Sequence, residues 1–275
     1  MRLFAMDLDG TLVNREGKVH PRDVAAIRAA EQRGVKVTIA TGRLLGGTRP
    51  VAEALGLTSP LVCADGGVTS CGQAREVLAR APIAMEDAVT VVHAFRERGL
   101  AQFAFDHEGI VSCERGREHH GYVSAWSPSG RAHHDVLDAA LGWDESPPLM
   151  LVGIGEPESV GAIATELGAA HEGLEALSFT VSWTGKRVVR FIRRGISKAS
   201  GLEALAQRLG VPREGVAVIG DFYNDLPMFE WAPRSFAMPH APADVKSRAT
   251  DALEEGSWER GAIADALERW LGDSG

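Results

Sequence analysis

Two aspartates, Asp7 and Asp9, stand in Asp7-Leu8-Asp9-Gly10-Thr11, directly after a short apolar run. Three further clusters of ligating or reactive residues lie far along the chain. They are Thr41-Gly42-Arg43, Lys198 after Gly195-Ile196-Ser197, and Gly220-Asp221-Phe222-Tyr223-Asn224-Asp225. Together they hold what phosphoryl transfer needs. A phosphate monoester is a dianion and repels a carboxylate nucleophile. A divalent cation held between carboxylates and phosphate removes that repulsion and orients the phosphorus for in-line attack. Oxygen-only ligands favour Mg2+ over zinc. Asp7 can then serve as metal ligand and nucleophile, giving an aspartyl-phosphate. Asp9 can protonate the leaving alkoxide and later deprotonate the attacking water. Gly10 permits a tight turn with exposed N–H groups. Thr41 offers a hydroxyl and, with Gly42, Lys198 and Asn224, makes up the expected phosphate-binding set. Lys198 supplies a fixed positive charge, and Asp221 completes the metal site. Taken singly, Asp7 and Asp9 read equally as a solvated turn or helix cap, Thr41-Gly42-Arg43 is more often just a turn, Lys198 more often a surface helix residue, and Gly220-Asp221 carries little.

The elements that must position these residues follow an alternating pattern. Leu3 to Met6 reads as a buried strand ending at Asp7. A helix is expected from Pro21 to about Arg33, closed by Gly34, then a strand over Val35 to Ala40 that ends at Thr41. A helix over about Leu44 to Leu55 leads to a third strand, Leu61 to Ala64, and then Asp65-Gly66-Gly67. The rhythm returns late, with a helix over Lys198 to Leu209 and a strand over Gly215 to Ile219. A helix over Asn224 to Trp231 and a short strand over Phe236 to Met238 follow, and Lys246 and Ala262 to Leu271 lie in closing helices. Strand-helix alternation predicts a parallel α/β sheet, whose ligands sit beyond the carboxyl ends of the strands.

The middle of the chain breaks the alternation. Helices are expected over Met85 to Arg98, near His134 to Leu141, and over Glu158 to Leu167. Leu100 to Phe105 and Ile110 to Cys113 read as a hairpin around Asp106 to Gly109. Leu149 to Ile154, Leu177 to Trp183 and Arg187 to Ile192 read as further strands. This is an α+β insert with its own sheet.

Composition narrows the function classes. With 275 residues, 45% apolar and 24% charged, the chain suits one or two globular domains. No apolar run approaches the roughly 20 residues of a membrane span. A formal charge of −8 disfavours broad nucleic-acid binding. Cys63, Cys71 and Cys113 include no CxxC pair, and a reduced, cytoplasmic setting is the expectation. The adjacent pairs His119-His120 and His133-His134 lack the i, i+4 spacing of a helical metal site and read as solvated surface. Trp126, Trp143 and Trp183 read as packing residues rather than a sugar platform.

In these four clusters the sequence resembles the haloacid dehalogenase superfamily of phosphohydrolases. Asp7-Leu8-Asp9-Gly10-Thr11-Leu12 resembles its first motif, Thr41-Gly42-Arg43 the second, Lys198 the third, and Gly220 to Asp225 the fourth. The long gap between Thr41 and Lys198 resembles the Cof-type sugar-phosphatase subclass, which carries an inserted α+β cap. The resemblance implies a Rossmann-like core over 1–75 and 193–275 and a cap over 76–192 that closes over substrate. It implies Mg2+ dependence, Asp7 as nucleophile, Asp9 as general acid/base, and metal ligation by Asp7, Asp221 and the backbone carbonyl of Asp9. The implied substrate is a small phosphorylated metabolite such as a sugar phosphate, with neither nucleic acid nor membrane as partner. A phosphomutase using the same intermediate, or a binding protein on this scaffold, is the alternative. Asp65, Arg43 and Asp225 are candidate substrate or supporting residues. Three departures stand out: Asp65-Gly66-Gly67 where relatives carry Asn-Gly-Ala, Met238-Pro239-His240-Ala241 where they carry Met-Gly-Asn-Ala, and Ala199 where Gly is common. The first two bear on the choice of substrate.

Overall fold

The computed structural model describes residues 1–71, 76–107, 109–124, 126–127, 130–132, 136, 143–180 and 185–272. The chain divides into two compact units, one of Met1–Gly42, Thr48–Ala79 and Ser197–Gly275, the other of Arg43–Gly47 and Arg80–Ile196.

The first unit is built on β1 (Arg2–Met6), which the apolar run dictates. Around it follow α1 (Pro21–Gln32), β2 (Val35–Ile39), α2 (Leu45–Leu55), β3 (Leu61–Cys63), β4 (Val68–Ser70) and β5 (Val77–Arg80). β2 pairs parallel to β1, with Phe4 opposite Val37. On the other side of β1 lies β12 (Val216–Gly220), also parallel, with Ala5 opposite Val218. The five-stranded sheet runs β14-β13-β12-β1-β2, with β13 at Arg234–Ala237 and β14 at Asp251–Ala252. β1 and β12 are therefore neighbours at its centre. Their residues bury both faces, which is why they read as unbroken apolar runs rather than alternating ones. Leu3, Ala5, Val216 and Val218 pack on one face against α6 (Lys198–Leu209) and α7 (Leu226–Trp231). On the other face, Phe4 meets Trp270 of α10 (Ala262–Gly272), with ring centroids 5.7 Å apart. The short helices α8 (Ala243–Lys246) and α9 (Ser257–Arg260) complete the unit. Asp23 of α1 accepts from the Ala264 N–H at 2.9 Å and so caps α10 from a neighbouring helix.

Two expectations are corrected. Leu61–Cys63 is not a full parallel strand of the main sheet. It makes one parallel bridge, Ala40 to Val62, and otherwise pairs antiparallel with β4 in a small sheet ordered β3-β4-β5. The expected helix at Asn224 starts later. Tyr223–Asp225 forms a 3-10 turn and α7 begins at Leu226, because Pro227 suits the first turn of a helix, where an N–H is not needed.

The second unit carries a six-stranded sheet ordered β10-β11-β9-β6-β7-β8. Its strands are β6 (Ala101–Phe105), β7 (Ile110–Ser112), β8 (Gly130–Ala132), β9 (Met150–Gly155), β10 (Leu174–Thr180) and β11 (Arg187–Arg193). β6 and β7 form the expected hairpin, whose turn Asp106 closes by accepting from the Gly109 N–H at 2.7 Å. Two helices, α3 (Met85–Glu97) and α5 (Pro157–Ala170), pack on this sheet, and Phe95 meets Phe191 at 5.9 Å. The short helix α4 spans His120–Val123. Trp143 is buried in this core, and Trp126 packs on Phe105 and Tyr122. The helix expected near His134 to Leu141 falls almost wholly outside the described residues. His133, His134 and Trp183 lie outside them too, as does the end of the strand expected over Leu177 to Trp183. No helix among the described residues is long and apolar enough to cross a membrane.

Candidate active site

Adjacent parallel strands bring their carboxyl ends level. The Asp7 N–H donates to the Ile219 carbonyl at 2.9 Å, so β1 and β12 leave the sheet side by side. The sheet register thereby makes Asp7 and Asp221 neighbours across 214 residues of sequence.

Lys198 reaches the same point from the other side of the sheet end. It is the first residue of α6, whose N-terminus is fixed by a reciprocal cap. Ser197 accepts from the Ser200 N–H at 3.3 Å, and the Ser200 hydroxyl accepts from the Ser197 N–H at 3.0 Å. The helix start sits hard against the turn after β3. A Cβ on Gly66 would fall 2.1 Å from the Ser197 carbonyl oxygen, and Gly66 holds φ at +96°. Only glycine fits there, and the close approach sends Lys198 inward. Its side chain is 0% exposed. Its ammonium donates to Asp7 Oδ1 at 2.6 Å and to Asp225 Oδ1 at 2.7 Å.

Asp225 is an organising residue. Fully buried, it holds Lys198 with Oδ1 and accepts from the Asp221 and Phe222 N–H groups with Oδ2, at 2.8 and 3.0 Å. One carboxylate thus orients the lysine and shapes the loop that presents Asp221. Sequence reading placed Asp225 among supporting candidates without seeing this double task.

The electrostatics follow from crowding. Carboxylate oxygens of Asp7, Asp221 and Asp225 lie within 4.8 Å of one another. Burial raises the Asp7 carboxyl well above the usual carboxylate range. Lys198 opposes that shift, while Asp225 and Asp221 add to it. Asp225 is likewise raised, by burial first, with Lys198 in opposition. For Lys198, burial alone would lower the pKa. Attraction to Asp225, Asp7 and Asp65 more than offsets it, so the ammonium stays charged. The carboxylates of Asp7, Asp221 and Asp225 offer an all-oxygen donor set, the kind that suits a hard divalent cation such as Mg2+.

Two more loops complete the cluster. Thr41 is buried; its N–H donates to the Val62 carbonyl and its carbonyl accepts from the Asp65 N–H, both at 2.9 Å. Ala64 and Asp65 both adopt left-handed backbone, at φ +50° and +51°. Such conformations cost on the order of 1 kcal/mol each and persist only where surroundings hold them. Here the bond to Thr41 and a bond from Asn224 Nδ2 to Asp65 Oδ1, at 2.9 Å, do so. Asp65 is 3% exposed, and its second oxygen lies where a Cβ on Gly42 would approach to 3.1 Å. Asn224 thus spends one amide hydrogen on Asp65 and keeps a second for another acceptor.

A strand-end aspartate lies against a buried lysine, with further aspartates in the loop after the next parallel strand, and the chain matches a known family over most of its length. The family model described as haloacid dehalogenase-like hydrolase covers residues 4–267. The chain belongs to the haloacid dehalogenase-like hydrolases. It is 29% identical over 271 residues to the 5-amino-6-(5-phospho-D-ribitylamino)uracil phosphatase of Bacillus subtilis, covering 98% of this chain and 96% of that protein. It is 26% identical to the pyridoxal phosphate phosphatase of Escherichia coli, covering 90% and 91%. A haloacid dehalogenase-like hydrolase from B. subtilis shares the fold at a TM-score of 0.83, with 23% identity and coverage of 98% and 99%.

Of the residues the sequence singled out, Asp7, Lys198, Asp221, Asn224, Asp225, Asp65, Thr41 and Gly42 are gathered in the first unit by the contacts above. Asp9 is exposed, and its carboxylate lies outside the cluster of three. Arg43 groups with the second unit, where its Nη1 donates to the Gly47 carbonyl at 3.2 Å. His240, noted only as a departure, was missed as a neighbour of the cluster. Its Nε2 lies 3.5 Å from Asp221 Oδ2, and the contact with Asp221 raises its pKa.

Proposed function

We propose that this chain is a Mg2+-dependent phosphatase that hydrolyses a small phosphate monoester, a sugar phosphate or related metabolite, through an aspartyl-phosphate on Asp7. The observation that carries the reading is the buried Lys198 bonded to both Asp7 and Asp225 beside Asp221. A lysine so placed is costly unless its charge has a task, and a transferring phosphoryl group is such a task. The named substrates of the two relatives, pyridoxal phosphate and a ribityl phosphate, support the substrate class.

Asp7, Asp221 and the backbone carbonyl of Asp9 would hold the metal, which when bound supplies charge neutralisation and orientation of the phosphate. Asp7 Oδ1 is fixed by Lys198, and Oδ2 is the attacking oxygen. It forms the O–P bond as the ester oxygen leaves with its electron pair. Asp9, exposed where Asp7 is buried, gives that oxygen a proton. It then takes one from the water that breaks the acyl phosphate and releases inorganic phosphate. Thr41, the free amide hydrogen of Asn224 and the Lys198 ammonium steady the phosphoryl oxygens.

The test is a phosphate-release screen across sugar phosphates, polyol phosphates, nucleotides and pyridoxal phosphate. Mg2+-dependent release, stopped by EDTA and lost in Asp7→Asn, is expected. Substantial release by Asp7→Asn, or activity that survives thorough chelation, would refute the reading. Conversion of a hexose phosphate to its isomer without phosphate release would favour the mutase.

A further inference from the structure

Pro239 and His240 form the turn after β13, at the same carboxyl edge of the sheet as Asp7 and Asp221. The turn is well fixed. The Met238 N–H donates to the Gly220 carbonyl at 2.9 Å, the Ala241 N–H to the Met238 carbonyl at 3.1 Å, and Lys246 Nζ to the Pro239 carbonyl at 2.9 Å. The His240 ring stands edge-on to Trp258, with centroids 5.1 Å apart and planes at 80°. So held, its Nε2 faces Asp221 Oδ2 at 3.5 Å. The other oxygen, Asp221 Oδ1, accepts from the Thr11 hydroxyl at 3.3 Å. A Cβ on Gly10 would lie 2.6 Å from Asp221 Oδ2, so carboxylate and turn are pressed together. Both oxygens of Asp221 are therefore braced, one by the loop after β1 and one by the loop after β13.

We propose that His240 is a positioning residue for Asp221, holding Oδ2 so that the carboxylate is oriented before an ion arrives. The inference rests on the reading of Asp221 as a metal ligand. A carboxylate at a loop start has rotamers to lose on binding an ion, and a partner that removes that freedom beforehand strengthens ligation. Groups of this kind are typically worth about 10- to 100-fold in metal affinity. The 3.5 Å contact and the 43% exposed ring place His240 at the low end. A positive ring beside a ligand repels the ion, which works in the opposite direction. The sign of the change on deletion therefore separates bracing from repulsion.

The experiment is Mg2+ titration by calorimetry on the full chain without substrate, for wild type, His240→Ala, His240→Gln and Asp221→Asn. Melting in EDTA serves as the check on folding. His240→Ala should bind Mg2+ about 10-fold more weakly, and the Mg2+ concentration for half-maximal rate should rise in parallel. The kcat at saturating Mg2+ should fall less than the affinity does. His240→Gln, whose amide nitrogen reaches a similar point, should recover most of the affinity. Unchanged or tighter binding by His240→Ala overturns the proposal, as does a Gln variant no better than Ala. Wild-type binding by Asp221→Asn overturns the metal assignment and the proposal with it. Loss of binding in Asp221→Asn but not in His240→Ala removes the proposal alone.

Discussion

Replacing Asp7 by Asn should stabilise the metal-free protein while it abolishes turnover. The Lys198 ammonium lies 2.6 Å from Asp7 Oδ1. At an effective dielectric of about 20 that is an attraction of about 6 kcal/mol. Asp221 and Asp225 place carboxylate oxygens no more than 4.8 Å away. Each then repels Asp7 by about 3.5 kcal/mol or more on the same scale. The repulsions cancel the attraction, and burial weighs against the charge, in line with the raised Asp7 carboxyl. Asn keeps an oxygen for Lys198 and removes the charge. A gain of about 1–3 kcal/mol is expected, the range seen when buried charges are replaced by well-fitting neutral groups. That is roughly 2–6 °C in Tm for a chain of this size. The sign with pH is fixed. Between the ordinary carboxylate pKa and the raised one, the folded state holds a proton the unfolded chain has released. Wild-type stability therefore falls as pH rises through that window, and Asp7→Asn lacks that component of the slope. Lys198→Met is the converse, because it strips the counter-charge from a fully buried site, and a loss of about 3–5 kcal/mol is expected. Thermal melts in EDTA across pH, repeated in Mg2+, make the assay. At 100-fold above Kd, Mg2+ adds about 2.7 kcal/mol to whichever protein binds it, so the wild-type deficit should close or reverse. An Asp7→Asn protein that melts below wild type in EDTA at neutral pH would refute the charge argument.

Two further outcomes are expected. Gly66→Ala meets the Ser197 carbonyl oxygen at 2.1 Å, so it should cost more than about 2 kcal/mol and most of the turnover. Gly17→Ala has a similar positive φ with nothing within 4 Å and should cost only about 1 kcal/mol; equal losses in the two melts would deny the close approach. Asp65→Asn keeps an acceptor for Asn224 but removes a charge beside Lys198. It should reorder kcat/KM across a panel of phosphate esters, and an unchanged ranking would exclude Asp65 from substrate choice.

The parallel layout was legible because its central strands are apolar on both faces and stop at acids. Leu3 to Met6 and Val216 to Ile219 are buried along their whole length, as central parallel strands are. The third strand was not legible. Leu61 to Cys63 has the same apolar look, yet the left-handed turn at Ala64 and Asp65 folds the chain back into β4 after three residues. The Asp65-Gly66-Gly67 run carried that turn signal, and it was read as a strand end. Asp225 was under-read for a related reason. Its grip on Lys198 and on the Asp221 and Phe222 N–H groups depends on a 3-10 turn, where a helical reading from Asn224 aims the side chains differently.

The departures from the family pattern take on a different meaning once the contacts are known. Asp65 and His240 were expected to bear on substrate choice, as residues bordering a pocket. Asp65 bonds to Asn224, and His240 faces Asp221. Each therefore lies one contact away from a residue proposed to bind phosphate or metal. A change at such a place acts first on how that residue is held, and on the substrate only through it. The consequence differs in kind from that of a pocket residue. Exchange of a pocket residue shifts KM for one ester more than another, whereas exchange of a bracing residue shifts metal affinity or kcat for all esters alike. His240 falls in the second group, because the atom it approaches belongs to the proposed ligand set. Asp65 can fall in either, since it is buried at 3% and also adds its charge to the field around Lys198. A ranking of substrates and a metal affinity, measured on the same variants, tell the two apart.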